Sequence, residues 1–245
     1  MIVDLYQDAE LYDAVHAGYR DDLHFYRQLA DDHGGPVLEL GAGTGRVTAA
    51  LAAAGHAVLA VEPRAEMRAR GAARLVRDGC ADRVTWIESD MRTLSLGLTV
   101  PLAIAPFHTL MHLRTLADQD AALRAVRHHL APGGTFATDV FVPRFADLDR
   151  VRVESVVADP SADLLVWQHH DPVAQVIITE MRLDRIAPDG SVGRRRATLR
   201  QRYYHRFELE RALRSAGFSS VRVFGGFDRG PVTSASTSWA LVARP

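Results

Sequence analysis

Pro36-Val37-Leu38-Glu39-Leu40-Gly41-Ala42-Gly43-Thr44-Gly45 is the stretch on which the reading of this chain turns. Val37, Leu38 and Leu40 form a short apolar run that leads directly into glycines at 41, 43 and 45. A helical pattern follows from Arg46 to Ala54. Strand, glycine turn and helix together let a backbone come close to a nucleotide-like ligand, because glycine accepts positive φ and carries no Cβ. A dinucleotide fingerprint places its third glycine at the sixth position of the motif. Here that position is Arg46, and the third glycine falls one residue earlier.

Strand and helix patterns alternate on both sides of this turn. Residues 8–32 read as one or two helices, stopped by His33-Gly34-Gly35-Pro36. Strands are predicted at 37–40, 57–61, 83–88, 101–105 and 135–141, and helices at 44–54, 64–77 and 116–130. That alternation predicts a parallel sheet with helices on both faces. After Pro143 the texture changes to long alternating runs at 151–157, 163–170, 174–186 and 194–204, with turn residues between them. A helix at 206–215 and strands at 220–225 and 237–242 then return to the α/β pattern. The expected organisation is one domain over 1–245, with an N-terminal helical cap over 1–33. An antiparallel β insert over 144–204 would serve as a substrate lid or a dimer contact.

Bulk properties narrow the function. The chain has 245 residues, 47% of them hydrophobic, and a formal net charge of −1. Near-neutral charge gives no support to a general nucleic-acid or membrane-surface binder. No apolar run is long enough to span a bilayer, and the N-terminus has no signal-peptide pattern, so a cytoplasmic protein is expected. Cys80 is the only cysteine, which excludes an intrachain disulfide and argues against a cysteine metal site. His169 and His170 are adjacent on a strand and point to opposite faces, so they do not chelate one ion, and no metal is expected. All 29 basic residues are arginine, so lysine-based chemistry is excluded.

Two acids complete a constellation with the glycine turn. Glu62 ends Val58-Leu59-Ala60-Val61-Glu62, about twenty residues beyond Gly41, where a carboxylate accepts hydrogen bonds from ribose hydroxyls. Glu88-Ser89-Asp90-Met91 follows the third strand; taken alone, Asp90 reads equally well as a helix cap.

The pattern Glu39-x-Gly41-x-Gly43-x-Gly45, with Glu62, Asp90 and Ala131-Pro132-Gly133-Gly134 in order, resembles the class I S-adenosylmethionine-dependent methyltransferases over residues 36–140. That resemblance implies a Rossmann-like seven-stranded sheet with its last strand antiparallel. The cofactor would be S-adenosylmethionine and the product S-adenosylhomocysteine. Glu39, Gly41, Ala42 and Gly43 would hold the methionine end, Glu62 the ribose, and Asp90 and Met91 the adenine. Pro63 and Met67 would flank the adenine, although Met67 also fits a core position. Arg46 would pair with the methionine carboxylate or lie as an ordinary helix arginine.

Leu11-Tyr12-Asp13 resembles the small-molecule branch, which includes amino-sugar and glycine-type N-methyltransferases. By that resemblance Tyr12 closes over the cofactor, with Tyr19 nearer the substrate. The fourth strand runs into Ala105-Pro106-Phe107-His108-Thr109-Leu110-Met111-His112. Ligands sit beyond the carboxyl ends of such strands, so Ala105 and Phe107 are expected beside the cofactor. His112 is the leading candidate base and His108 its rival; either also fits a histidine that orients the loop. Arg200 and Arg202 share one strand face with Arg194 and Arg196 and would grip an anionic group on the substrate. The competing reading of that stripe is cross-strand pairing with Glu180 and Asp184. The resulting expectation is metal-independent methyl transfer to a nitrogen or oxygen of a small molecule, with the insert as a candidate homodimer contact. The alternatives are a non-catalytic adenosylmethionine-binding regulatory protein and an NAD-dependent oxidoreductase, the latter opposed by Arg46 at the sixth motif position and by the absence of lysine.

Overall fold

A computed structural model describes residues 2–16, 18–148, 151–155 and 162–245. In chain order the elements are β1 (Val3–Asp4), α1 (Ala9–His16), α2 (Leu23–His33), β2 (Val37–Leu40), α3 (Arg46–Ala53), β3 (Val58–Val61), α4 (Ala65–Arg77), β4 (Val84–Ile87), β5 (Val100–Ala105), α5 (Leu116–His128), β6 (Leu130–Phe141), β7 (Val151–Ser155), β8 (Ala162–Asp171), β9 (Val176–Ile186), β10 (Val192–Arg202), α6 (Arg206–Ser215), β11 (Ser220–Phe224) and β12 (Ser238–Arg244). They belong to two compact units. One comprises residues 21–142 and 203–245, the other residues 1–20 and 143–202.

The larger unit is built on a seven-stranded sheet in the order β11-β12-β6-β5-β2-β3-β4. Strands β2 to β6 pair in parallel, whereas β12 runs antiparallel to both β6 and β11. All four residues of β2 are buried, as expected of a central parallel strand covered on both faces. Phe25, Tyr26, Leu29 and Ala30 of α2 pack in one core with Val37, Val47, Leu51, Leu102 and Ile104. Strand order reverses between β2 and β5: β3 and β4 lie on one side, β6 on the other. The carboxyl ends of β2 and β5 therefore form the switch point at which open α/β sheets take their ligands.

One detail differs from the sequence-based expectation. The segment 131–134 was expected as a turn before the sixth strand, yet β6 already begins at Leu130. Val100 pairs with Leu130 and Leu102 with Thr135, so residues 131–134 bulge out of a continuous ladder. The last two strands form the antiparallel edge as expected, with β11 outermost and β12 between it and β6.

The smaller unit is a five-stranded sheet in the order β1-β10-β9-β8-β7. Its long strands are antiparallel, in keeping with the predicted insert. One face carries Leu164, Val166, Met181, Leu183 and Ala197, packed with Leu5 and Leu11. The N-terminal segment is not helical throughout: Val3 and Asp4 add a parallel strand to β10, opposite Ala197 and Thr198. The last two residues of the strand predicted over 151–157 lie outside the described residues.

Candidate functional site

The turn after β2 is built from three left-handed glycines, Gly41 at φ 65°, Gly43 at φ 57° and Gly45 at φ 74°. At Gly41 the absence of a side chain is also a packing requirement, since a Cβ there would lie 2.8 Å from Thr109 Cγ2. The turn thus closes directly onto the segment that follows β5.

Glu62 leaves the end of β3 and reaches across to this turn. Its Oε2 accepts the Gly43 N–H at 3.0 Å, and its Oε1 accepts the Arg64 N–H at 2.9 Å. The residue is only 6% exposed. Burial raises its pKa, opposed by the two backbone hydrogen bonds. Each carboxylate oxygen has one backbone donor and keeps acceptor capacity, which fits a group that presents a pair of hydroxyls.

Two residues expected at the ligand are interior. Glu39 sits mid-strand in β2, 1% exposed, and its Oε2 accepts the Thr48 hydroxyl at 2.7 Å. Burial pushes its pKa up to about 8. Because β2 is covered on both faces, this acid is a core residue hydrogen-bonded to α3 and not a surface ligand. Met67 is fully buried on α4, which selects its core reading. Pro63 is exposed, Ala42 is buried in the glycine turn, and Ala105 is buried at the end of β5.

Arg46 and Asp90 hold protein partners. The two terminal nitrogens of Arg46 bond Asp22 Oδ1 and Oδ2, each at 2.6 Å, and Asp22 is fully buried. The guanidinium carbon also lies 4.9 Å from the centre of the Phe107 ring. Asp90 accepts Arg92 Nε at 2.9 Å, Arg92 Nη2 at 2.6 Å and the Arg92 backbone N–H at 2.9 Å. These hydrogen bonds hold the Asp90 carboxyl below its usual pKa. Arg92 continues to Asp118 at 2.9 Å, so the acid is tied into a local turn, and no helix follows for it to cap. Met91 beside it is half-buried.

The segment after β5 contains the most unusual backbone of the site. Phe107 and His108 both have positive φ, 55° and 61°. Two successive non-glycine residues in this region cost on the order of 1–3 kcal/mol each, so something must hold them. The holder is Asp139 of β6, fully buried. Its Oδ1 accepts the Phe107 N–H at 2.8 Å and the Tyr26 hydroxyl at 2.5 Å, and its Oδ2 accepts the His108 N–H at 3.1 Å. Burial raises the Asp139 pKa to about 7 and lowers that of His108 to about 4. His108 Nε2 lies 3.4 Å from Asp139 Oδ2. A one-turn 3-10 helix, Thr109–His112, follows and ends on half-buried His112.

The structure therefore gathers Gly41, Ala42, Gly43, Arg46, Glu62, Ala105, Phe107 and His108 in the larger unit, at and around the switch point. Tyr12, Tyr19, Arg200 and Arg202 belong to the smaller unit. There Tyr12 is half-buried with its ring 5.4 Å from that of Tyr6 and 4.7 Å from that of His16, and Tyr19 is half-buried. In β10, Arg194 bonds Asp184 through Nε and Nη2, the cross-strand pairing that competed with anion binding. Arg202 is buried and donates to Gln175 at 2.6 Å, while Arg200 is exposed.

Asp22, Tyr26 and Asp139 escaped the sequence reading. Asp139 is the one charged residue in the strand segment Thr135–Phe141, and an acid there was the available signal.

Comparison with known proteins agrees with this geometry. Residues 37–134 match a family described as "Methyltransferase domain". An uncharacterized methyltransferase of Geobacillus thermodenitrificans is 32% identical over 178 residues, covering 66% of this chain and 77% of that protein. A dTDP-3-amino-3,6-dideoxy-alpha-D-glucopyranose N,N-dimethyltransferase of Streptomyces fradiae is 28% identical over 228 residues, covering 89% and 86%. The structure of the CcbJ methyltransferase from Streptomyces caelestis superposes with a TM-score of 0.81 at 28% identity, over 93% of this chain and 97% of that one. The chain spans less than half the length of some other curated relatives, 41% and 22% in two cases. With the glycine turn, Glu62 and the seven-stranded sheet in place, the chain belongs to the class I S-adenosylmethionine-dependent methyltransferases.

Proposed function

We propose that this protein transfers a methyl group from S-adenosylmethionine to a nitrogen or oxygen of a small-molecule acceptor by direct displacement. The observation that carries this reading is the buried Glu62 carboxylate fastened to the Gly43 N–H at the switch point of the sheet. In this reading Glu62 binds the two ribose hydroxyls, and the turn 41–45 takes the methionine end. Asp90 and Met91 border the adenine, with Arg92 sharing the Asp90 carboxylate. The cofactor supplies an electrophilic sulfonium methyl.

The rest of the catalysis is positional. The segment from Ala105 to His112 forms the acceptor side, and holding nucleophile and methyl in line accounts for most of the rate. His108 is neutral near pH 7 because burial depresses its pKa to about 4. His112, at the end of the 3-10 turn, is the better placed of the two to receive a proton released from the acceptor.

An amine acceptor on a sugar or similar natural product is the class we favour. The support is the Streptomyces fradiae amino-sugar enzyme, whose similarity runs along nearly the whole of both chains. Tyr12, Tyr19, Arg200 and Arg202 are assigned to acceptor and cofactor closure on the strength of the resemblance. A second copy of the chain pairing through the β-rich unit is part of the same proposal, to be read from mass by light scattering.

The test is calorimetric titration with S-adenosylhomocysteine and with NAD, followed by mass spectrometry of products from a panel of amine and hydroxyl acceptors. Binding of the first ligand alone and a gain of one or two methyl groups are expected. Binding of NAD without S-adenosylhomocysteine would overturn the reading.

A further inference from the structure

We infer that Asp139 is a positioning residue for this methyl transfer: its carboxylate clamps the left-handed Phe107–His108 turn and thereby fixes the acceptor side of the site. The inference rests on the methyl-transfer reading for its chemistry and on geometry for its existence.

Asp139 receives three donors from two places in the chain. They are the N–H groups of Phe107 and His108 and the hydroxyl of Tyr26 on α2. Both turn residues bear side chains and take φ values that side chains disfavour. Successive N–H groups in such a turn form a concave anion-binding nest, and a buried carboxylate is the anion that fills it here. The carboxylate is part of the protein, so the nest is closed whether or not a ligand is bound.

What the clamp holds is chemically relevant. Phe107 carries the Arg46 guanidinium over its ring. Thr109, the next residue along, donates to the Pro106 carbonyl at 2.6 Å and fills the space beside Gly41. His112 ends the same 3-10 turn. A single carboxylate thus sets the geometry of the glycine turn's neighbour, the arginine's aromatic partner and the candidate proton acceptor.

The state of this carboxylate depends on its surroundings. Tyr26 from α2, His108 from the turn, and the Asp22–Arg46 pair are the titratable and charged groups around it. Protonation would remove an acceptor from one of the three donors, so the turn should loosen as pH falls. Removing Tyr26 would take away a donor that favours the charged form and move that loosening to higher pH.

The experiment compares wild type with Asp139→Asn, Tyr26→Phe and the double variant Asp139→Asn/His108→Gly. Four quantities are read: affinity for S-adenosylhomocysteine, kcat and KM across pH 5.5–9, and the amide 15N shifts of Phe107 and His108 against pH. Asp139→Asn is expected to keep its affinity within about threefold, lower kcat at least tenfold and lose the acid limb of the profile. Tyr26→Phe should shift that limb to higher pH. Glycine at 108 adopts positive φ without a clamp, so the double variant should regain part of kcat.

In wild type both amides should titrate with one midpoint, and Asp139→Asn should abolish it. An unmoved pH profile in Asp139→Asn, or amides that do not titrate in wild type, would overturn the clamp. If Asp139→Asn does not fold, Tyr26→Phe and the wild-type amide titration decide. Titrating amides in a wild type that binds no S-adenosylhomocysteine would instead overturn the functional reading and leave the clamp standing.

Discussion

Arg46 and Asp22 are joined by two parallel hydrogen bonds of 2.6 Å, end to end between guanidinium and carboxylate. Asp22 is fully buried and the Arg46 side chain is 13% exposed. Breaking such a pair from one side strands a charge, which costs about 3–5 kcal/mol. Arg46→Ala should therefore lose stability on that scale in urea unfolding. Arg46→Met combined with Asp22→Leu should recover most of it. A stability loss in the double variant equal to that of the single one would show that the charge is not the cause.

Glu62→Gln exchanges a carboxylate for an amide that can turn a donor toward the Gly43 N–H. Hydrogen bonds to charged groups contribute about 1.5–3 kcal/mol, so affinity for S-adenosylhomocysteine should fall roughly 10- to 100-fold. Calorimetry at fixed pH measures this, and an unchanged dissociation constant would remove Glu62 from the ribose role.

Gly41→Ala meets two obstacles at once, a backbone at φ 65° and a Cβ 2.8 Å from Thr109 Cγ2. A loss of about 1–3 kcal/mol is expected. Adding Thr109→Ser removes the methyl but not the backbone strain, so the melting temperature should recover only in part. Full recovery would mean that the dihedral carries no cost.

Glu39 links stability to pH. Its pKa rises from 4.5 in the unfolded chain to about 8 when buried, so the folded state holds the extra proton between those values. Its contribution is fully present below about 4.5 and is lost as pH rises through about 8. His108 acts in the opposite sense over a lower window, from about 4 to 6.5, where stability gained with rising pH reflects its neutral buried ring. Chemical unfolding from pH 6.5 to 9 should thus show declining stability from Glu39, and Glu39→Gln should flatten that slope. An identical slope in the variant would place the titration elsewhere.

His112→Ala tests how much proton transfer contributes. A positioned base contributes about 10²- to 10⁴-fold where the proton is in flight in the transition state. Displacement at a sulfonium methyl by a free amine does not require this, so kcat should drop less than about tenfold, with the loss read from initial rates at saturating cofactor. A larger fall at neutral and alkaline pH, with the acid limb of the profile lost, would assign His112 as base.

The larger sheet was legible in the sequence because its central strands are continuous apolar runs and its turns carry glycine. Val37–Leu40, Val58–Val61 and Val100–Ala105 lie within a residue of where the pattern put them. The glycine turn and Glu62 were legible because both lie in strand-end positions whose spacing is set by one βαβ unit. Partnerships across long separations were not. Tyr26 and Asp139 are 113 positions apart, and nothing local to either marks the other. Arg46 looked free to bind an anion because Asp22, 24 residues earlier, gives no sign of its target. Asp90 was ambiguous because Arg92, two residues on, competes for the same oxygens through its own backbone and side chain. The strand Val3–Asp4 was missed because two residues carry no readable periodicity.

The placement of β12 has a consequence in time. β6 ends at Phe141, yet the strand that covers its outer edge begins at Ser238. During synthesis a row of unpaired amides and carbonyls on β6 is open while about a hundred residues of other chain, including strands β7 to β10, emerge after it. The larger sheet is completed by one of its most distant pairings, which is entropically the slowest kind to form. Nascent chains of this protein should therefore be most vulnerable to edge-to-edge association between the emergence of β6 and the arrival of β12. In the smaller sheet β8, β9 and β10 pair with their neighbours in chain order, and only the short β1 waits for its distant partner β10.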